Sequence, residues 1–453
     1  MEREVTLMEM LEARESRASR QRELLERHRC PVVSFTLNIA GPVKNGPVLR
    51  RAFREGLLRL EDALAAQGLR PLHQEEVDRP TGCEALWMVP GPGRTIKELC
   101  TQIEDRDPLG RLFDLDVLDP EGGKWDREAL GFPPRPCLVC GKAGKGCASR
   151  RLHSVEELQE KTREILKNFF ARQDRKFLAA QGARALLYEV CTTPKPGLVD
   201  RHNNGSHRDM DVFTFLDSTA ALLPYLEQAV AIGQETAHRP PEETFARLRE
   251  AGLGAERAMF AATGGVNTHK GAIFSLGCVL GAAGRLWAPE GPCREPERIL
   301  GECGSMAGPA AEEFFSSLTP EHARTAGERL YLTTGNRGVR GEAADGFPAV
   351  LHIGLPALRA ALSQGAGLEE AGAAALLALT AGTVDTNLFA RGGIEQQQWA
   401  SQQAGDLLTG GPRPDLEAVR ELDRAMIQRN LSPGGCADLL AITYFFHFLT
   451  AAG

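Results

Sequence analysis

The sequence lacks several features that would place the protein in a specialised class. No uninterrupted run of about 18 apolar residues occurs, the length that a transmembrane helix needs, so we expect no membrane span. No apolar segment of the signal-peptide type opens the chain. Basic residues are not in excess either: the formal net charge is -7, which argues against a general nucleic-acid binder and against a protein of the membrane surface.

The cysteines lack the pattern of a disulfide scaffold, because there are 11 of them, an odd number, scattered over 453 residues. We therefore expect reduced thiols in a cytoplasmic protein. One group is closely spaced and reads Cys137-x2-Cys140-x6-Cys147-x5-His153. This spacing is compatible with a closed structural zinc site, and plain reduced thiols remain the alternative.

A chain of this length predicts more than one domain. Residues 1–172 combine helical patterns at 6–28, 48–66 and 95–103 with strand patterns at 31–39, 69–77 and 84–89, which predicts an α+β domain. A charged segment at 154–176 predicts a helix that bridges to a second domain.

From residue 173 onward strand patterns almost disappear, and segments rich in alanine, leucine and glycine predict a larger all-α domain at 173–453. The small residues would let its helices approach closely. The predicted helices beyond an initial one at 177–191 are 213–233, 244–262, 272–286, 310–317, 323–332, 350–362, 369–382 and 437–452.

In the N-terminal domain, residues 110–118 (GRLFDLDVL) carry a pair of carboxylates. If this segment is a strand, its alternation directs Asp114 and Asp116 to one face, about 7 Å apart. Two such carboxylates can share divalent metal ions with the oxygens of a substrate phosphate, as a displacement at phosphorus requires. A lone Asp-x-Asp also occurs on ordinary surface strands. Lys44, in the turn 41–44, and Arg50 and Arg51 are cations that could hold phosphate, whereas a loop that leads into a helix with a solvated face is the alternative.

In the C-terminal domain, a long polar loop at 194–211 separates two helical segments. It contains two prolines and two glycines, so it is a poor helix or strand. Loops that concentrate charge between packed helices often carry function, whereas a solvated surface loop is the simpler alternative. Its candidate residues are Lys195, Asp200, Asp209 and Asp211.

Four shorter polar segments lie between the predicted helices of the same domain. Each one mixes glycine with charged residues and could be a turn with a helix cap. Together with the long loop they suggest helix ends that meet around a polyphosphate with magnesium. The segments are 264–271 with His269 and Lys270, 333–348 with Arg340, Glu342 and Asp345, 385–393 with Asp385 and Arg391, and 432–438 with Asp438.

These segments resemble a known family. PKPGLVDRHNNGSHRDM, GGVNTHKGAIFSLG, RGEAADGFP, DTNLFARGG and SPGGCADLL are similar to triphosphoribosyl-dephospho-coenzyme A synthase of the citrate lyase system, from about residue 177 to the C-terminus. The N-terminal third, through PVVSFTLNIAGPVK, PLGRLFDLDVL and the cysteine-rich segment, resembles apo-citrate lyase phosphoribosyl-dephospho-coenzyme A transferase. The chain therefore resembles a fusion of the two enzymes, with a nucleotidyltransferase-like N-terminal domain.

The resemblance implies two coupled reactions. The all-α domain would join ATP to 3′-dephospho-coenzyme A and release adenine. The N-terminal domain would transfer the phosphoribosyl-dephospho-coenzyme A unit to a serine of the apo acyl carrier subunit of citrate lyase and release pyrophosphate. It implies no nucleic-acid partner, and it leaves open whether the protein forms a homo-oligomer.

From the chemistry of these reactions we expect Asp114 and Asp116 to bind magnesium in the transferase. In the synthase we expect bases or magnesium ligands at Asp200, Asp209 and Asp211, with Glu342, Asp385 and Asp438 as further carboxylates. The residues expected to bind phosphates are Lys44, Arg111, Lys195, His269, Lys270, Arg340 and Arg391.

Two alternatives remain open at the level of sequence. The same chemistry could serve malonate decarboxylase, whose carrier subunit would then be the acceptor. A non-catalytic scaffold that carries zinc and a helical binding domain would explain residues 137–153, but not the five polar segments.

Overall fold

The computed structural model describes residues 3–142, 147 and 150–451. The chain divides into two compact units, Met1–Ala171 and Arg172–Gly453, called here the first and second unit. The first unit combines helices with a small sheet, and the second unit consists of helices and loops, without a strand among its described residues. The secondary structure therefore agrees with the predicted order, an α+β domain followed by a larger all-α domain.

The first unit contains a four-stranded antiparallel sheet with the strand order β2-β3-β1-β4. Its strands are β1 (Val32–Leu37), β2 (His73–Arg79), β3 (Gly82–Met88) and β4 (Phe113–Leu118). Its helices are α1 (Leu7–His28), α2 (Pro47–Ala66), α3 (Gly93–Asp105) and the first part of α4 (Val155–Cys191).

The hydrophobic core of the first unit lies on both faces of this sheet, because successive side chains of β1 point in opposite directions. On one face Leu24 and Leu25 of α1 pack with Val32. On the other face Phe35 stacks on Phe53 of α2, with the ring centres 4.7 Å apart.

The edge strand β4 has the alternation that the sequence predicted. Phe113, Leu115 and Val117 are buried, whereas Asp114 and Asp116 are half-buried on the opposite face. Asp114 lies across from Thr36 of β1, and Asp116 lies across from Ser34. The two carboxylates therefore share one face of the sheet.

The second unit begins within α4, a single helix of 37 residues that joins the two segments predicted at 154–176 and 177–191. Its other helices are α5 (Val212–Thr236), α6 (Pro241–Ala262), α7 (Lys270–Arg285), α8 (Pro296–Ser317), α9 (Ala326–Thr334), α10 (Gly338–Ala344), α11 (Leu355–Ser363), α12 (Leu368–Gly382), α13 (Thr386–Asp406), α14 (Leu416–Gln428) and α15 (Gly434–Ala451). A π-helical turn, Val350–Gly354, leads into α11.

Glycines allow two helices of the second unit to approach closely, as their abundance suggested. A Cβ atom on Gly233 of α5 would lie 2.0 Å from the carbonyl oxygen of Gly281 in α7. A Cβ on Gly284 would lie 2.3 Å from the carbonyl oxygen of Val230. Larger side chains at these positions would force α5 and α7 apart.

Helix α15 is apolar on nearly every side and fills the centre of the second unit. Leu440, Tyr444 and Phe445 are fully buried within its main hydrophobic core. By length and composition this helix could cross a membrane, but 61% of it is buried inside the protein. Its environment is that of a core helix. Ala452, the last residue of the predicted helix, lies outside the described residues.

Several helix boundaries differ from the sequence-based prediction. The segment 385–393, which we expected to be a polar connection, is the beginning of α13, and the helix is kinked at Gly393 with φ 69° and ψ -168°. Residues 338–344 form a short helix, and α8 begins at Pro296 instead of residue 310. Glycine and asparagine at these positions are weak helix formers, and tertiary packing overrides that tendency.

Candidate active sites

A cavity of about 1220 Å³ in the first unit contains both carboxylates of β4. Acidic and basic side chains line it together, which suits a ligand made of phosphates and a divalent ion. The basic residues among its lining are Lys97, Arg111, Lys124, Arg127, Arg135 and Arg151.

Asp114 and Asp116 each lie beside a cation in this cavity. The Nζ of Lys124 is 2.7 Å from Oδ2 of Asp116. An Nη atom of Arg135 is 3.5 Å from Oδ1 of Asp114. Burial and the charge of Asp116 raise the pKa of Asp114 above its ordinary value. A divalent cation bound between the two carboxylates would relieve this repulsion.

Arg111 and Arg135 present unused hydrogen-bond donors. Arg111 donates to the carbonyl oxygen of Pro136, but its Nε and one Nη are buried without an acceptor among the described residues, as is Nε of Arg135. Burial and the neighbouring Arg135 lower the pKa of Arg111. Two adjacent guanidinium groups with unsatisfied donors are suited to bind an anion.

Sequence reasoning identified Arg111 but missed Arg135. Arg135 stands between Pro134 and Pro136, 21 residues after Asp114. No local periodicity connects it to β4, so only the folded connection after β4 brings it to the carboxylate.

The structure does not bring Lys44 to this cavity. Its Nζ donates to the carbonyl oxygen of Ile39, and the residue is not among those that line the cavity. Burial and the charge of Arg14 lower its pKa. The predicted contact of Lys44 with a triphosphate is therefore not supported by its position.

The cysteine and histidine group predicted from its spacing does come together. One ligand atom from each of Cys137, Cys140, Cys147 and His153 lies within 4.8 Å of all the others. Cys137, Cys147 and His153 also line the cavity that contains Asp114 and Asp116. The group thus belongs to the wall of that cavity.

In the second unit, the loop 194–211 is ordered by its own carboxylates. Asp200 is buried, and it accepts hydrogen bonds from the backbone N–H groups of Lys195, His202 and Asn203. Asp211 caps α5 by accepting from the backbone N–H of Thr214 at 2.9 Å, and this bond lowers its pKa. Both residues therefore hold the backbone in place, and their catalytic or metal-binding roles stay predictions.

The remaining candidates of this loop have contrasting environments. Asp209 is exposed and accepts no hydrogen bond from the residues described. Lys195 is buried, and its Nζ lies 2.5 Å from Oε1 of Glu189 near the end of α4. Glu189 is a partner that the sequence did not indicate, and burial raises its pKa.

The predicted phosphate ligands at the start of α7 also have protein partners. His269 is buried, with Nδ1 2.7 Å from the Ser218 hydroxyl and Nε2 without a partner in the described structure. Burial, and then the charge of Lys195, lower its pKa to about 3, so its ring is neutral at physiological pH. Lys270 is exposed and lies 2.9 Å from Oε2 of Glu256.

The starts of three helices meet at two further carboxylates. Asp385 accepts from the backbone N–H groups of Asn387 and Leu388 in α13 and of Cys436 in α15. Asp438 of α15 lies against Gly271 of α7, where a Cβ would come within 1.9 Å of its Oδ2. The starts of α7, α13 and α15 therefore lie together, and the polyphosphate and magnesium that we expect there stay a prediction.

Asp438 differs from Asp385 in having a free carboxylate. It accepts no hydrogen bond from the described residues, and it is only half-buried. Burial, followed by the charges of Glu189 and Asp385, raises its pKa well above the ordinary value. A carboxylate in this state can accept a proton at a higher pH than an ordinary aspartate.

A second cavity, of about 510 Å³, is lined by Arg337, Glu342, Asp345 and Asp385, among others. Cys436 and Leu439, on either side of Asp438, also line it, but Asp438 itself does not. Burial raises the pKa of Glu342. Arg337 donates to both oxygens of Asp345. Here too, acidic and basic side chains share one cavity.

Two predicted phosphate ligands lie outside that cavity lining. Arg340 stacks on the ring of Phe314, 3.8 Å from its centre, and lines a separate cavity of about 220 Å³. Arg391 donates to the carbonyl oxygen of Ser206 and to the side chain of Asn430. The bond from Arg391 to Ser206 joins α13 to the loop 194–211.

Comparison with known proteins gives matches to both halves of the chain. The family model of ATP:dephospho-CoA triphosphoribosyl transferase matches residues 175–453. The family model of apo-citrate lyase phosphoribosyl-dephospho-CoA transferase matches residues 5–169.

Individual relatives match either the whole chain or its second part. "Protein CitXG" of Haemophilus influenzae is 38% identical over 98% of this chain and 96% of its own length. "Protein CitXG" of Leuconostoc mesenteroides is 35% identical over 97% and 96%. A 2-(5″-triphosphoribosyl)-3′-dephosphocoenzyme-A synthase of Pectobacterium atrosepticum is 44% identical over 59% of this chain and 88% of its own length. The chain belongs to the CitXG family, in which a transferase of the apo-citrate lyase type and a triphosphoribosyl-dephospho-CoA synthase are joined in one polypeptide.

Proposed function

We propose that the protein is a bifunctional transferase that makes the prosthetic group of citrate lyase and attaches it to the acyl carrier subunit. The observation that carries the proposal is the division of the chain. The two family matches, 5–169 and 175–453, fall within the two compact units, Met1–Ala171 and Arg172–Gly453. Each unit has a cavity of its own in which carboxylates and cations occur together.

The second unit carries out the first reaction, between ATP and 3′-dephospho-CoA. The 2′-hydroxyl of dephospho-CoA attacks C1′ of the ATP ribose, and a C–O bond forms. The bond from C1′ to N9 breaks, the hydroxyl loses its proton, and adenine takes up a proton as it leaves. Positive charge develops on the ribose ring, so the site must accept the hydroxyl proton and stabilise the ring.

We assign Asp438 as the general base that accepts the proton of the 2′-hydroxyl. Its carboxylate has no hydrogen-bond donor among the described residues, and its raised pKa makes it a stronger base than an ordinary aspartate. Asp200 and Asp211 are less suited to this role, because their carboxylate oxygens accept hydrogen bonds from backbone N–H groups. Asp385 does the same at two helix starts.

The cavity of the second unit provides groups for the triphosphate and a magnesium ion. Glu342 and Asp345 offer carboxylate oxygens, and Arg337 offers a guanidinium on the same cavity. Magnesium, when bound, would neutralise the charge of the triphosphate. Asp209, which is exposed in the loop 194–211, is a further candidate ligand.

The first unit carries out the second reaction, at phosphorus. The serine hydroxyl of the carrier subunit attacks the phosphorus next to the ribose and forms a new P–O bond to it. The P–O bond from this phosphorus to the next phosphate breaks, pyrophosphate leaves, and the hydroxyl proton passes to a base or to water. Arg111, Arg135 and Lys124 lie where they can bind the leaving pyrophosphate. Asp114 and Asp116 would hold magnesium, which supplies charge neutralisation in a nucleotidyltransferase-like reaction.

The proposal includes the predicted surroundings of the enzyme. Its substrates are ATP and 3′-dephospho-CoA, its protein partner is the apo acyl carrier subunit of citrate lyase, and its location is the cytoplasm. Its metal ions are magnesium and a structural zinc held by Cys137, Cys140, Cys147 and His153.

Mass spectrometry of the reaction products tests this function. Purified protein, ATP, magnesium and dephospho-CoA should yield adenine and a triphosphoribosyl adduct of dephospho-CoA. Addition of the apo carrier subunit of citrate lyase should convert the adduct into modified carrier and pyrophosphate. Loading of the malonate decarboxylase carrier in preference would change the assigned partner, and the absence of any turnover would refute the proposal.

A further inference from the structure

The four zinc-type ligands of the first unit are arranged as a metal site. Sulfur and nitrogen ligands on a tetrahedral zinc ion lie roughly 3.5–3.8 Å apart, as bond lengths of about 2.0–2.3 Å require. The ligand atoms of Cys137, Cys140, Cys147 and His153 are all within 4.8 Å of one another, and the sulfurs of Cys140 and Cys147 are 3.4 Å apart. Small side-chain rotations would bring all four to an ion at their centre.

The backbone around the first two cysteines forms a tight turn. The backbone N–H of Gly141 donates to the carbonyl oxygen of Cys137 at 3.0 Å, and the N–H of Cys137 donates to the carbonyl oxygen of Lys142 at 2.6 Å. Gly141 has φ +71°, a conformation that favours glycine. The turn presents the two thiols of the Cys-x2-Cys pair to the same point.

His153 supplies an independent sign of a missing ligand. Its Nε2 is buried without a hydrogen-bond partner in the described structure, which is costly unless another atom binds there. Its Nδ1 lies 3.9 Å from Oε2 of Glu157. Histidines that bind metal through one ring nitrogen commonly direct the other to a carboxylate, so Glu157 is placed to orient the ring.

The same segment carries groups of the transferase cavity. The carbonyl oxygen of Pro136, next to Cys137, accepts from Arg111. Arg135, two residues before Cys137, lies 3.5 Å from Asp114. Between β4 and Lys142 the described residues form turns and isolated bridges, without a helix or strand that would make this wall rigid.

We propose that Cys137, Cys140, Cys147 and His153 bind one zinc ion, and that this ion fixes residues 135–138, Cys147 and His153 as a wall of the transferase cavity. Through Arg135 and the contact of Pro136 with Arg111, the ion positions two of the cations that bind the triphosphate. This second part rests on the proposed transferase function. The four ligands act as positioning residues, and they take no part in the reaction at phosphorus.

A pair of cysteine variants tests both parts in the full-length protein. Cys140 is exposed, so Cys140→Ser removes one ligand with little effect on packing. Cys30→Ser, a half-buried cysteine of the same unit outside the group, is the matched control. The measurements are zinc per chain in protein purified without chelator, the absorption of the cobalt-substituted protein, carrier loading from the purified triphosphoribosyl adduct, and adenine release.

We expect about one zinc per chain and cobalt–thiolate absorption in the wild type and in Cys30→Ser. Cys140→Ser should lose the zinc and the cobalt–thiolate absorption. It should also load the carrier at least about tenfold more slowly, because changes around a metal site commonly reduce activity by about 10- to 100-fold. Adenine release should stay within about twofold, which shows that the second unit is folded. Arg135→Lys, which leaves the zinc ligands intact, should retain zinc but lose carrier loading.

The outcomes separate the parts of the proposal. Substoichiometric zinc with reduced thiols would overturn the metal site. Full zinc in the wild type with unimpaired loading by zinc-free Cys140→Ser would overturn the support of the cavity. A zinc-loaded wild type that modifies no carrier would refute the transferase function, and with it the second part, while the bound zinc would still establish the site.

Discussion

Individual carboxylates of this protein have different tasks because their neighbours differ. Asp114 shares a cavity with Asp116 and several cations, and its pKa is raised by burial and by the charge of Asp116. Asp200 and Asp211 instead accept hydrogen bonds from nearby backbone N–H groups. A free carboxylate beside cations can bind a metal ion, whereas one occupied by backbone amides holds a loop or a helix end in place.

The first prediction concerns Asp114. Asp114→Asn keeps the size of the side chain but removes the charge that would hold magnesium, so carrier loading should fall by at least about 100-fold. Adenine release should remain unchanged, because that reaction belongs to the second unit. Separate assays of the two steps measure this. Asp62→Asn, an exposed aspartate on α2, is the control and should affect neither step. Equal loss of both steps in Asp114→Asn would indicate misfolding.

The second prediction concerns Asp438. Asp438→Asn cannot accept the hydroxyl proton, and adenine release should fall by about 100-fold or more, the usual contribution of a general base. Carrier loading from the purified adduct should be retained. An exposed aspartate of α5, Asp217, provides the control variant Asp217→Asn.

The pH dependence of adenine release provides a second readout for Asp438. A base works only when deprotonated, so kcat/KM should rise with pH through the pKa of Asp438. Burial and two neighbouring carboxylates raise that pKa, so this rise should occur above the ordinary range of an aspartate. If Asp438→Asn keeps both the rate and this acidic limb, another residue is the base.

At the residue scale, the sequence could predict features that depend on local periodicity and spacing. Asp114 and Asp116 share a face because strand side chains alternate, and the cysteine spacing led to a real cluster. The partners of Lys195 and Asp114 could not be predicted in this way. Glu189 lies six residues before Lys195, a spacing that no helix or strand period connects, and Arg135 meets Asp114 only through the folded connection after β4. Charged residues of a polar loop also look alike in sequence whether they bind substrate or their own backbone.

At the scale of elements, the beginnings of α13 and α15 depend on one side chain. Asp385 accepts hydrogen bonds from backbone N–H groups of both helices. This arrangement leads to a third prediction. Asp385→Ala leaves buried donors of two helices unsatisfied, and we expect the second unit to lose about 2–4 kcal/mol of unfolding free energy. Urea or thermal unfolding measures the change.

A single exposed cap in the same unit provides the comparison for Asp385. Asp415 caps α14 and accepts from the backbone N–H of Glu417 at 3.0 Å. Asp415→Ala should cost about 1 kcal/mol, as one exposed cap usually does. Equal effects of the two substitutions would show that Asp385 does not stabilise both helices.

Most elements with a strong apolar period were predicted, although α14 was not, and elements with a mixed composition were missed or misplaced. The strands of the first unit and helices such as α5 and α7 lie close to their predicted positions. Helix α13 was not predicted, because residues 385–393 contain turn-forming residues and the helix is kinked at Gly393. Helix α10 has only seven residues between glycine-rich turns, too few for a period to be recognised.

At the scale of the whole molecule, the fusion places two consecutive reactions on one chain. The product of the second unit is the substrate of the first unit. The covalent link between the two units raises the local concentration of that product near the active site of the first unit. The change from strand patterns to helical patterns near residue 173 made the two-part organisation predictable from sequence. The cavities could not be predicted, because their walls come from distant parts of each unit.

The central claim is that each unit performs one of the two steps. Carrier loading from ATP and dephospho-CoA, followed by mass spectrometry, tests it with Asp114→Asn, with Asp438→Asn and with an equimolar mixture of both. Each variant alone should leave the carrier unmodified, and the mixture should restore modification, because one protein supplies the adduct and the other transfers it. Loading by either variant alone, or no loading by the mixture when the purified adduct is also present, would contradict the claim.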